Sequence, residues 1–178
     1  MTSDEELMLA VGKGDLAAFG EIVSRHQATA WNLAYRFLGD AAEAEDIAQD
    51  ALLRILDAGP RYRPTASFPT YLHQVVVRLC LDHARKKRPA PWNGVPTPAA
   101  PSPSPLDALV TAERDAAIRR AVEALPANQQ MAVVLRYYEG MAGREVAEAM
   151  GTTPKAVERL LARARAKLGS ALEVFLKK

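Results

Sequence analysis

Between Pro89 and Pro105 the chain reads PAPWNGVPTPAAPSPSP, and seven of those seventeen residues are proline. Each proline locks its own φ, lacks an N–H to donate, and pushes the residue before it toward extended backbone. The stretch therefore cannot be helix and makes a poor strand. It reads as an extended, semi-rigid linker. The 178 residues divide into two parts, 1–88 and 107–178, joined by the linker 89–106. Trp92 is the one aromatic residue in that linker, either solvated or docked on a domain or a partner.

Both parts read as all-helical. Ser3 and Glu6 have the spacing of a capping box, with Leu7, Leu9 and Val11 behind them. Asp15 caps a second helix carrying Leu16, Phe19, Ile22 and Val23 at helical spacing. A third holds Trp31, Leu33, Ala34, Tyr35 and Leu38 and stops at Gly39. Asp40 and Glu43 open a fourth, which buries Ile47, Ala51, Leu52, Ile55 and Leu56. Residues Ala58 to Ser67 form a loop with Gly59, Pro60 and Pro64, and a longer helix follows from Phe68 to Lys87. In the second part, helices are predicted over Asp107–Ala124, Ala127–Tyr138 and Gly143–Met150. The last helix begins after Thr153 with Pro154 at its first position, where the missing N–H has no partner to lose. No alternating β-branched segment competes; Val75–Val77 is the one local exception, and its flanks favour helix.

The final two helices have the spacing of a helix-turn-helix, with Gly151 at the turn. On the last helix Val157, Leu160, Leu161, Ala164 and Leu168 form one apolar face. Lys155, Arg159, Arg163 and Lys167 recur every four residues on another face, and Arg165 adds charge beside them. A basic stripe of this kind pairs with DNA phosphates and reads guanine edges through bidentate arginine. Glu158 stands among these bases, placed to accept from a cytosine amino group, to orient Arg159 or Arg163, or simply as a solvated, solubilising charge.

Net charge is only +2, but it is sorted. From Met1 to Asp57 there are eleven acids against four bases; from Ala58 to Arg88 seven bases stand against Asp82 alone. Such sorting suits an acidic surface for one partner and a basic surface for another. The single cysteine, Cys80, excludes an intramolecular disulfide and a cysteine-based zinc site, and its apolar setting reads as a buried thiol. No signal peptide and no membrane-spanning run is legible, so a soluble cytoplasmic protein is expected. Glu43, Asp46 and Asp50 share a helix face that could take a hard cation, but no histidine or second acidic helix joins them. His26 and His73 have no partner histidine at ligand spacing. No Gly-rich phosphate loop or nucleophile elbow appears, so no catalysis, metal or cofactor is expected.

The ordered set of segments resembles a bacterial RNA polymerase sigma factor of the extracytoplasmic-function (ECF, group four) class. LPANQQMAVVLRYYEGMAGREVAEAMG is similar to the family's LP-x-x-x-R-x-V-x-x-L-R-Y-Y-E-G-x-S-x-x-E-I-A-x-x-L-G run, and AVERLLARARAKL to its recognition helix. GDLAAFGEIVSRH, AEDIAQDALLRIL and SFPTYLHQVVVRLCLDHARKKR resemble the opening, core-binding and minus-ten helices, in the family's order. The resemblance implies a sigma domain 2-like unit, a linker near the RNA exit path, and a sigma domain 4-like unit. By that resemblance Asp46, Gln49, Asp50, Leu53 and Arg54 meet the clamp helices of polymerase β′. The loop Arg61–Ser67 with Phe68, Thr70 and Tyr71 meets the minus-ten element; Tyr62 either stacks on a flipped base or packs against the loop, and Arg61 and Arg63 hold phosphates. Arg78, His83, Arg85, Lys86 and Lys87 lie along duplex phosphates. Lys155, Arg159, Ala162, Arg163, Arg165 and Lys167 read the minus-thirty-five element, while another surface of that unit docks on the β flap. The implied partners are core polymerase, promoter DNA and an anti-sigma factor.

The chain departs from the family pattern at Tyr71 for tryptophan, Arg78 for asparagine, and Ala142-Gly143 for a Ser-x start, which removes a cap. The competing reading of the same helix-turn-helix is a two-domain transcriptional regulator. That would need a ligand pocket or dimer seam in the first part, and neither is legible there.

Overall fold

A computed structural model describes residues 2–87 and 116–176, with side chains in the last helix to residue 169. The proline-rich stretch 89–105, Trp92 and the predicted helix start at Asp107 lie outside the described residues. Every regular element described is helical.

α1 (Asp4–Val11) starts as its spacing predicts: Ser3 Oγ accepts from the Glu6 N–H at 3.2 Å, and Glu6 Oε2 accepts from the Ser3 N–H at 2.8 Å. α2 runs from Leu16 to Leu38 as one helix of 23 residues where two were expected. The intervening segment SRHQATA contains neither proline nor glycine, so nothing interrupts the backbone ladder. Asp15 Oδ1 caps its start, accepting from Ala17 and Ala18 N–H at 2.9 and 3.0 Å. Gly39, at φ 73°, ends it in the left-handed conformation that glycine adopts without strain. α3 (Ala41–Ala58) is capped by Asp40, leads into a 3-10 turn at Gly59–Arg61, and is followed by α4 (Phe68–Lys86).

In the second unit α5 covers 116–123, and α6 (Ala127–Val133) continues into a π turn at Val134–Tyr138. The Glu139 N–H reaches back five residues to the Val134 carbonyl at 3.1 Å. This single wide turn keeps Leu135 in the core while Tyr137 and Tyr138 face solvent. α7 (Gly143–Ala149) lacks a serine at its cap, yet Glu145 Oε2 accepts from the Ala142 N–H at 2.6 Å and supplies the reciprocal half of a capping box. Gly151, at φ 63°, makes the turn into α8 (Pro154–Leu176). Thr153 Oγ1 caps that helix, accepting from the Ala156 N–H at 3.2 Å.

The core of the first unit lies where α2, α3 and α4 meet around Ile22, Leu33, Ile55, Phe68, Leu72 and Val76. Each such side chain is worth about 1.5–3 kcal/mol against exposure. The second unit packs on this layer. Gln130, itself buried, donates from Nε2 to the Phe37 carbonyl at 2.8 Å and satisfies one of the orphan carbonyls at the end of α2. Arg36 pairs with Glu139, and its guanidinium lies 5.8 Å from the centre of the Tyr138 ring. α4 meets α6 and α7. Burial raises the Glu123 carboxyl above its ordinary range at this seam, against the opposing pull of Arg119 and Arg120.

Candidate nucleic-acid interface

The last helix divides cleanly between core and solvent. Val157, Leu161 and Ala164 are buried, with Leu160 and Leu168 half-buried beside them. Lys155, Arg159, Ala162, Arg163, Arg165 and Lys167 are all exposed. Four-residue spacing advances about 40° per step, so Lys155, Arg159, Arg163 and Lys167 wind slowly along one side. Glu158 forms no ion pair with Arg159 or Arg163 among the described residues.

The downstream loop is arranged differently. Arg61 and Arg63 are exposed, and Arg63 Nη1 donates to the Tyr62 carbonyl at 3.0 Å. Tyr62, expected either to stack on a flipped base or to pack against the loop, is 6% exposed and packs at 5.6 Å, ring centre to ring centre, against Tyr71. Its hydroxyl is buried without a hydrogen-bond partner, and burial raises its pKa. Phe68, expected at the DNA surface, is fully buried, 4.8 Å from the His26 ring. Both aromatic rings turn inward because the short first unit gains more from burying them than from presenting them to water. The surface this loop offers is therefore Arg61, Arg63 and the half-buried Thr70 and Tyr71.

Along α4, Arg78, Arg85, Lys86 and Lys87 are exposed and His83 is half-buried. Two of these bases are already engaged by Glu43 of α3: Lys87 pairs with it, and His83 Nε2 lies 3.3 Å from its carboxylate without hydrogen-bond geometry. Arg85 pairs with Asp82 one turn away. Arg78 and Arg85 line a cleft of about 450 Å3 whose opposite wall is Glu148 to Gly151 of the second unit. The basic face of α4 thus looks partly into the seam between the units.

Asp46, Gln49, Asp50, Leu53 and Arg54 share one side of α3, at i, i+3, i+4, i+7 and i+8. Leu53 is 58% exposed, a large apolar side chain on an otherwise polar, charged surface. Asp50 and Arg54 pair at 3.2 Å, and Gln49 donates to Glu45 at 3.0 Å. A second cleft, about 400 Å3, opens between α2 and α3 beside them, lined by Trp31, Asn32, Glu45, Gln49 and Leu52 among others. Trp31 is half-buried, packed against the core and forming a wall of this cleft, stacked on Tyr35 at 4.9 Å. Its place in an apolar helix stripe concealed that role.

Sequence reasoning also missed the acids of α1. Asp4 pairs with Arg25 at 2.9 Å and with His26 at 2.8 Å, and Glu5 Oε1 accepts from the Phe68 N–H at 2.9 Å. That last bond, beside its own helix start, lowers the Glu5 pKa. The run Asp4-Glu5-Glu6 was the only available signal, and it reads equally as an ordinary acidic first turn. Among the described residues no three His, Cys, Asp or Glu side chains are grouped to hold a metal, and no helix is long and apolar enough to cross a membrane.

Residues 22–90 match the Sigma-70 region 2 family and residues 115–168 match the Sigma-70, region 4 family. The ECF RNA polymerase sigma factor SigM of Mycobacterium tuberculosis is 31% identical over 170 residues, covering 96% of this chain and 85% of SigM. RfaY of Xanthomonas campestris is 34% identical over 84% of this chain, which spans 39% of RfaY's length. The fold is that of the sigma factor RpoE from Bartonella quintana, solved with the anti-sigma factor NepR (TM-score 0.67, 18% identity, 88% of this chain and 97% of that one). A region 2 unit bearing an acidic helix face, followed by a region 4 helix-turn-helix with an exposed basic stripe, places this chain in the ECF class of RNA polymerase sigma factors.

Proposed function

We propose that this chain is the promoter-reading subunit of a bacterial polymerase, acting in the cytoplasm as a binding protein and not as an enzyme. The unit boundaries follow the linker, 1–88 and 107–178. The observation that carries the reading is the α8 stripe: Lys155, Arg159, Arg163 and Lys167 exposed on a helix whose other face is anchored by Val157, Leu161 and Ala164. A helix held this way is rigid enough to read base edges in a major groove. In this reading α8, with Ala162 and Arg165, meets the minus-thirty-five element. Arg61, Arg63, Thr70, Tyr71 and the bases of α4 meet the minus-ten element. Asp46, Gln49, Asp50, Leu53 and Arg54, with the Trp31 cleft, meet the β′ clamp helices of core polymerase. The second unit also docks on the β flap, and an anti-sigma factor, like that bound to RpoE, holds the chain off.

The two promoter elements are named for positions twenty-five base pairs apart, about 85 Å along B-form DNA at 3.4 Å per pair. Units in mutual contact through Gln130 and Arg36 do not span that distance. Promoter engagement therefore opens the seam, frees Arg78 and Arg85 from the cleft, and stretches the linker, whose eighteen residues reach about 60 Å. Tyr62 reaches a flipped base only if the loop moves as well. Strand opening is then driven by binding energy, with no nucleotide hydrolysis.

Run-off transcription with sigma-free core polymerase and genomic promoter fragments tests the function. Discrete transcripts that require the chain are expected. Retention of promoter DNA by the chain alone, with no transcripts, would instead indicate a conventional regulator.

A further inference from the structure

We propose that α1 is a splint for the loop between α3 and α4, and that Glu5 is its positioning residue. The inference rests on the reading of that loop as the minus-ten contact. It concerns what gives the loop its shape.

The loop has little internal structure to hold it. Its backbone bonds are short-range, from the Tyr62 N–H to the Gly59 carbonyl at 3.1 Å and from the Thr65 N–H to the Arg63 carbonyl at 2.8 Å. Ser67, at the N-cap of α4, makes no capping bond to that helix; its hydroxyl is engaged with Thr70 Oγ1 at 2.9 Å. The missing acceptor comes from another helix. Glu5 Oε1 takes the Phe68 N–H, the first donor of α4, from 63 residues away in sequence.

The other end of the loop is held by the other end of α1. A Cβ placed on Gly12 would lie 2.6 Å from the Gly59 carbonyl oxygen, so the two backbones touch only because residue 12 is glycine. Glu5 and Gly12 are seven residues apart, about 10 Å along a helix axis. One rigid element thus sets where the loop begins and where it ends. α1 is in turn tied to α2 by Asp4 with Arg25 and His26, and the His26 ring packs on Phe68. Glu5 sits at the positive ends of both α1 and α4, which favours its charged, hydrogen-bonding form. The exposed Arg61 and Arg63 and the half-buried Thr70 and Tyr71 are presented in the register this splint imposes.

The test uses the full chain, free and bound to core polymerase, in the variants Glu5→Ala, Glu5→Gln, Gly12→Ala and Arg63→Ala. Amide exchange at Phe68 reports the splint in the free chain. Core affinity, binding to the upstream element, and 2-aminopurine fluorescence in the minus-ten element report function. Glu5→Ala is expected to speed Phe68 exchange and slow strand opening by about tenfold each, the scale of one lost hydrogen bond to a charged group. Core affinity and upstream binding should stay within about twofold, as for a surface change remote from them. Glu5→Gln keeps an acceptor oxygen and should restore both the exchange rate and opening. Gly12→Ala should slow opening through the other contact with the Phe68 bond intact.

Unchanged opening in Glu5→Ala overturns the proposal, as does a Gln variant as impaired as Ala. A parallel fall in core affinity also overturns it, because that marks general damage to the unit. Arg63→Ala separates the two levels of inference: normal opening in that variant overturns the reading of the loop as the DNA contact, while Phe68 exchange still decides whether Glu5 holds the loop.

Discussion

The two regions proposed to face DNA are built on opposite principles. α8, the proposed upstream reader, is a regular helix whose basic side chains are the exposed remainder of an amphipathic pattern. Its shape follows from its own backbone, its cap at Thr153 and the apolar stripe under it. The loop between α3 and α4, the proposed downstream reader, is irregular, and its shape comes from outside. α1 grips both ends, His26 backs Phe68, and two of its aromatic rings are turned into the core. A side chain on α8 can be changed without altering the surface its neighbours present. A change near the loop alters the register of everything it presents.

The sharpest way to test this contrast is to remove the ring on which the loop is seated. Phe68→Ala should cost about 3–5 kcal/mol in chemical denaturation, as for large aromatic truncations in a core, and should abolish opening together with core binding. Next in size, Arg163→Glu should weaken upstream-element binding by about a hundredfold in a mobility-shift titration, combining a lost bidentate contact with phosphate repulsion. Its thermal midpoint should stay near that of the parent chain. A large loss of stability there would show that α8 is not the independent surface described above.

A smaller effect is expected at the seam. Gln130→Ala leaves the Phe37 carbonyl buried without a partner, a penalty of about 1–3 kcal/mol. Small-angle scattering should record a larger radius of gyration as the units part. An unchanged radius would place the strength of the seam in its apolar contacts instead.

The finest test is by pH. Glu5 has a folded pKa below its ordinary 4.5, because the charged form accepts from Phe68. Its contribution is complete above the unfolded value and fades as pH falls through the folded one. Phe68 protection should therefore persist at pH 5 and be lost only in more acidic solution. Cys80 behaves in the opposite sense. Burial pushes its thiol up to about 12, so it stays neutral through the physiological range, and the associated stability is lost as pH rises from its ordinary 9 toward that value. Iodoacetamide should modify Cys80 only as fast as the chain unfolds.

Much of the fold was legible because helix ends are local events. Ser3, Asp15, Asp40 and Thr153 accept from N–H groups two or three residues ahead, and Gly39 and Gly151 stop or turn the chain through their own φ. Such bonds depend on spacing, and spacing is written in the residue order. The basic stripe on α8 and the common face of Asp46 through Arg54 were legible for the same reason, since helical periodicity places them. The one helix misread as two, α2, shows the same logic from its other side: with no breaker near Trp31, the ladder simply continued.

What residue order left open was decided by contacts between distant segments. Glu5 meets Phe68 across 63 residues and Gln130 meets Phe37 across 93. Neither pairing has a periodic signature, because it depends on where whole helices come to rest. The same holds for direction. Phe68 looked like a surface aromatic of a basic loop, and residue order left Tyr62 open between stacking on a base and packing against the loop; packing buried both. An amphipathic or aromatic side chain takes its environment from its neighbours in space, and burial of apolar area, acting on the assembled layers, chooses among orientations that the local chain leaves nearly equal.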